Sequence, residues 1–178
     1  EGAIQTAMLK NLTLLYISTH QHHSGFNSIG PRGASAIATL RNLKTLDIST
    51  DQHDSDNNNL GAEGAASIAQ LKNLTALFIC THRHNSDNNK IGPEGAASIA
   101  TLSNLSILDI GIVLHDSGDN NIGDRGAAAI TKLRNLYILY AGTHCAIQLT
   151  TTSEIRVLRQ SQHSSVYGLS TSVMDILT

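Results

Sequence analysis

Apolar and polar positions along this chain repeat every 31 residues. The dipeptide Asn-Leu marks the period at Asn11, Asn42, Asn73, Asn104 and Asn135. A short apolar alternation follows each time: Leu43, Leu46 and Ile48 in one copy, Leu74, Leu77 and Ile79 in the next. That spacing predicts a brief strand with one face buried. A polar stretch comes next, and then Asn-x-Ile-Gly or a close variant, at Asn27–Gly30, Asn58–Gly61, Asn89–Gly92 and Asn120–Gly123. A helix is predicted after it. Pro31 and Pro93 stand where a first turn tolerates proline, and Ala and Ile recur at three- and four-residue steps. Ala96, Ile99, Ala100 and Leu102 are expected to face inward, with Ser98 and Thr101 outward.

One such coil cannot bury its apolar stripe alone. Stacked coils bury Leu on Leu and Ile on Ile, so the pattern predicts an α/β array held by nearest neighbours. Its strands would form a parallel sheet on the concave side, with coils about 5 Å apart. Gly33, Gly64, Gly95 and Gly126 form a column inside the predicted helices, where glycine costs roughly 1 kcal/mol relative to alanine. Their recurrence predicts a close approach of helix to sheet that a side chain would block.

The pattern L-x-x-L-x-I…N-x-I-G-x-x-G-A-x-x-I-A-x-L-x-N-L resembles leucine-rich repeats of the helix-bearing, ribonuclease-inhibitor-like type, and most nearly the GALA-type repeats of bacterial effectors. The resemblance covers residues 1–144 and implies a leucine-rich repeat solenoid. It also implies a non-enzymatic module that binds a protein or peptide, and a cytoplasmic location. Units of that family run roughly 20–29 residues; here extra residues lie between the last Ile of the strand and the ladder Asn. Insertions of this kind cost little closure entropy, and they fall on the rim where solenoids often carry function.

Composition adds exclusions. The net charge is −2, which offers no basic face to nucleic acid. The two cysteines, Cys80 and Cys145, make no disulfide framework. No apolar run reaches the ~20 residues of a membrane helix. Aromatic residues are only 3% of the chain, so Leu, Ile and Ala must fill its thin layers. Glu1 opens in mid-repeat, from which an absent start is expected. Ser and His recur as ladders, whereas a nucleophile and its base form a single convergent site, and no catalytic set emerges.

Two features carry candidate chemistry. Outward strand positions align Tyr16, Asp47, Phe78, Asp109 and Tyr140, so aromatics alternate with acids in one column. Interfaces favour aromatic anchors in a polar frame, and this column is the expected partner-binding face. In the inserted loops, His22, His53, His84 and His115 form one column; His20, Asp51, His82, Val113 and His144 form another. Seven of the nine histidines lie there. Two expectations stand side by side: a solvated rim copied by duplication, needing no cofactor, or a site for Zn²⁺ or another divalent metal. The ligands would be drawn from His20, His22, Asp51, His53, His82, His84 and His115, with the first four of these as the best group.

The register ends at His144. Residues 145–178 read as a cap, as a disordered tail, or as a frameshifted sixth repeat. If each codon is re-read from the last base of its predecessor, Thr151 to Arg159 can encode N-N-I-G-D-K-G-A-A. Gln160 to Ser164 can likewise encode A-I-A-T-L, and Ser170 to Val173 L-D-I-S, each where the register requires it. Val166 alone breaks the agreement, at a position where Asn is wanted. Such a tail would leave Leu136 and Leu139 uncovered and pack without a regular core.

Overall fold

A computed structural model describes residues 2–6, 8–17, 28–49, 58–79, 89–110, 120–140, 145–149 and 155–159, with residues 4, 140, 145–149 and 155–159 as backbone alone. Strands and helices alternate as predicted. The order is α1 (Gly2–Thr6), β1 (Leu14–Tyr16), α2 (Gly30–Ile37), β2 (Thr45–Asp47), α3 (Gly61–Ile68), β3 (Ala76–Phe78), α4 (Gly92–Ile99), β4 (Ile107–Asp109), α5 (Gly123–Ile130) and β5 (Ile138–Tyr140). β6 (Cys145–Leu149) and β7 (Ile155–Arg159) follow.

Each repeat strand is three residues long because only its central Leu must point into the core. Leu46, Leu77 and Leu108 are fully buried, and Leu15 and Leu139 are 8% and 9% exposed at the two ends of the array. β1 to β5 pair in parallel with no slip: Leu15 faces Leu46, Leu46 faces Leu77, Leu77 faces Leu108 and Leu108 faces Leu139. Burying one such Leu or Ile contributes about 1.5–3 kcal/mol. The core is a continuous stack of these residues, with Ile37, Ile68, Ile99 and Ile130 below them on the helices.

Two asparagine ladders lock the coils together. The Asn of Asn-Leu donates its Nδ2 to a backbone carbonyl one coil back: Asn42 to Lys10, Asn73 to Arg41, Asn104 to Lys72 and Asn135 to Ser103, at 2.8–3.1 Å. The Asn of Asn-x-Ile-Gly is buried and donates its side-chain amide within its own coil. Asn58, Asn89 and Asn120 donate Nδ2 to the carbonyls of Ile48, Ile79 and Ile110 at 2.7, 2.7 and 2.6 Å, closing the polar stretch onto the strand. Their own carbonyls accept from Gly30, Gly61 and Gly92 of the preceding coil. Invariance of both asparagines along the chain therefore has a hydrogen-bond cause.

The chain enters each helix through two left-handed residues that flank a buried aliphatic one. Asn59 and Lys90 have φ of 45° and 52°, and Gly61 and Gly92 have φ of 62° and 67°. Glycine is needed at the second of these positions for conformation alone, since a Cβ on Gly61 would meet nothing within 4 Å. The second glycine column differs. A Cβ on Gly95 would lie 2.5 Å from Ile91 Cγ2 and 3.0 Å from Ala65 Cβ. The close approach is thus to the coil's own Ile and to the preceding helix, not to the sheet as the sequence suggested. Helix-to-helix packing decides this position.

After β5 the parallel pattern ends. β6 pairs antiparallel with β5, and β7 antiparallel with β6, completing a seven-stranded sheet. Regular strands thus occur where the lost register predicted none, because backbone pairing along β5 needs no Leu pattern. Leu136 and Leu139 are 4% and 9% exposed, so the expected uncovered end is not found there. The open end is the other one. Leu9 is 58% exposed, whereas its equivalents Leu40, Leu71 and Leu102 are fully buried.

Candidate functional site

The face of the sheet away from the core is built from the residues on either side of each buried Leu, since side chains alternate along a strand. The strand register brings the predicted column together: Tyr16 faces Asp47, Asp47 faces Phe78, Phe78 faces Asp109 and Asp109 faces Tyr140. Neighbouring strands lie about 4.8 Å apart, so each aromatic position has an acid one strand away. A second column beside it runs Leu14, Thr45, Ala76, Ile107 and Ile138.

Exposure along the column is uneven. Tyr16 is 62% exposed and Leu14 53%; Asp47 and Phe78 are partly buried. Asp109 is only 3% exposed, although it was expected to point outward, and Ser49, just past β2, is 4% exposed. For Ser49 the reason is local. Its hydroxyl donates to Asp47 Oδ1 at 2.6 Å and its backbone N–H to the same oxygen at 3.0 Å, which folds the residue back against the strand end. These two bonds fix the Asp47 carboxylate through one oxygen. Oδ2 has no hydrogen bond among the described residues.

A rim column escaped the sequence reading. Thr13, Lys44, Thr75, Ser106 and Tyr137 precede the strands, and the first four each lend a carbonyl to two N–H groups of the next coil. Tyr137 is 51% exposed. The signal was present, because the residue after Asn-Leu never joins the apolar alternation. On the helical side, Arg125 and Glu94, at equivalent positions of adjacent coils, form a pair at 3.9 Å, with side chains 88% and 68% exposed. Solvent screening leaves such a pair little to contribute.

The family description Leucine Rich repeat matches residues 86–100 and 118–130. Both segments include a ladder Asn, its turn glycine and the helix that follows, and both lie in coils whose strands stack in parallel. The fold is an α/β leucine-rich repeat solenoid. No curated protein and no solved structure matches it.

In this leucine-rich repeat array the candidate metal ligands His20, His22, Asp51, His53, His82, His84 and His115 lie outside the described residues. So does Cys80. Among the described residues no group of three or more His, Cys, Asp or Glu could hold a metal ion, and no helix is long and apolar enough to cross a membrane.

Proposed function

We propose that this leucine-rich repeat array is a non-enzymatic interaction module that holds a protein or peptide against its strand face. The observation that carries the reading is the unbroken column Tyr16–Asp47–Phe78–Asp109–Tyr140 across five parallel strands. A surface of this kind is preorganised: its backbone is fixed by cross-coil hydrogen bonds, so a partner need not pay to order it. Repeats of this class generally mediate protein–protein contacts, which supports the same conclusion. The repeat pattern further supports the helix-bearing, ribonuclease-inhibitor-like subtype, the GALA-type repeats as the nearest kin, and a cytoplasmic site of action. It also supports residues 1–144 as the module and residues 145–178 as a tail outside the repeat.

The test is selection of a displayed random 12-residue peptide library on the 178-residue chain. Binders are expected to lose most of their affinity for a Tyr16→Ala/Phe78→Ala variant and to keep it for Ala97→Arg, a change on the exposed side of α4. Binders that respond to Ala97→Arg and ignore the strand-face pair would refute the assignment.

A further inference from the structure

We infer that Tyr16, Asp47 and Phe78 form a seat for an arginine side chain of the bound partner. The inference rests on the strand face being the binding face and names the chemistry that this face selects. Three observations lead to it. The two rings occupy strand positions directly on either side of the carboxylate, in register, hence about 4.8 Å from it along the sheet. The carboxylate is held by Ser49 through Oδ1 alone, which leaves Oδ2 to accept a further donor. Lys44, on the same segment as Asp47, is exposed and forms no ion pair with it among the described residues.

The geometry favours guanidinium over ammonium. A planar guanidinium donates along its edge to a carboxylate while its face lies on an aromatic ring, and it sheds water more readily than a lysine head group. An anionic ligand meets the opposite conditions, with a carboxylate at the centre of the triplet. Leu14, 53% exposed, stands in the neighbouring column, with the half-buried Thr45 and the buried Ala76 after it, and gives a residue beside the arginine an apolar contact. The ligand implied is therefore a peptide segment in which an arginine is flanked by apolar side chains.

The experiment takes the binders from the random 12-residue library, whose sequences should be enriched in arginine next to Leu, Ile, Val or Phe. The strongest is then synthesised with arginine and with citrulline, which keeps the shape and loses the charge. Titration calorimetry on the 178-residue chain should show citrulline binding ~10-fold or more weakly, the usual loss for a charge-assisted hydrogen bond. Asp47→Asn keeps the oxygen that Ser49 uses; it should weaken the arginine peptide by a similar factor and the citrulline peptide hardly at all. Tyr16→Leu and Phe78→Leu should each cost roughly 2- to 10-fold. Absence of arginine enrichment, or an equal citrulline penalty on the parent chain and on Asp47→Asn, overturns the seat while the strand face stands. A library that yields no binder, or binders indifferent to Tyr16→Leu and Phe78→Leu, overturns the seat and the strand-face reading together. Because the citrulline comparison on the parent chain needs no variant, a misfolded Asp47→Asn would not protect the idea.

Discussion

Replacing Asn89 separates the two jobs of a buried carboxamide. Its Nδ2 donates to the Ile79 carbonyl at 2.7 Å, while its Oδ1 is buried with no hydrogen-bond partner among the described residues. Asn89→Ala strands the carbonyl, at a cost of about 1–3 kcal/mol. It also removes an unpaired buried oxygen, which returns part of that. A net loss of ~1–2 kcal/mol follows. Asn58 differs in one respect: its Oδ1 accepts from the Ile29 N–H, at a long 3.4 Å. Asn58→Ala should therefore cost slightly more than Asn89→Ala.

Asn89→Asp makes the sharper test. At neutral pH it puts a charged oxygen against the Ile79 carbonyl in a position 1% exposed to solvent. Burial and the carbonyl both disfavour the anion, so the folded-state pKa of this aspartate must rise above the ordinary value of ~3.9. Between the unfolded and the folded pKa the native state then binds more protons than the unfolded state. Stability accordingly falls as pH rises through that window, and acid restores it. Once protonated, the carboxyl can donate to Ile79 as the amide did. Urea unfolding followed by circular dichroism, at pH 4.5 and at pH 7 beside the parent chain, should show the Asp variant below the Ala variant at pH 7 and recovering at pH 4.5. A deficit that grows on acidification, or an Asp variant equal to Ala at both pH values, would refute the account of this ladder.

Other consequences are simpler to state. Leu71→Ala empties a fully buried site and should cost about 2–5 kcal/mol in the same urea assay, whereas Leu9→Ala, at the open end and 58% exposed, should change stability by less than ~0.5 kcal/mol. Equal effects would deny that one face of the first coil is uncovered. Gly95→Ala should destabilise by roughly 1–3 kcal/mol through contact with Ile91 and Ala65, and Gly61→Ala by about 1–2 kcal/mol through its left-handed φ. Combining Gly95→Ala with Ile91→Ala should then cost less than the sum of the two single changes, because the Cβ has gained room; a strictly additive double variant would argue against the clash. Sequencing the gene through codon 144 should reveal a single-base slip followed by resumed repeats, and an intact frame would dispose of the frameshift.

Most of the fold was legible because each coil restates the same physics. Leu43, Leu46 and Ile48 announced a strand, and Pro93 with the spacing of Ala96 and Ile99 announced a helix. The core residues among them are fully buried as expected. What the sequence could not convey was the distance and the hydrogen-bond partners between coils, beyond the stacking of Leu on Leu. The purpose of Gly95 depends on how near Ala65 of the preceding helix stands, and no pattern within one repeat encodes that distance. The same holds for Asn42, whose partner is the Lys10 carbonyl one coil away. β6 and β7 lie outside the 31-residue period, and their antiparallel addition to β5 is set by backbone pairing and not by the repeat pattern.

Recurrence within one chain also shows where binding chemistry should be sought. Positions that stay fixed from coil to coil are explained individually: the buried leucines by stacking, the two asparagines by their carbonyl partners, the glycines by φ or by a neighbouring helix. Stacking makes no such demand on the strand face, whose residues need only fit a pleated surface. A face without a role would drift toward small polar residues or keep the copy it inherited. This one instead carries large rings and a carboxylate: Tyr16, Asp47 and Phe78 stand at equivalent positions of three coils whose cores are nearly identical. Large rings carry a cost when they stand exposed, as Tyr16 does at 62%, and a partner that covers them recovers it.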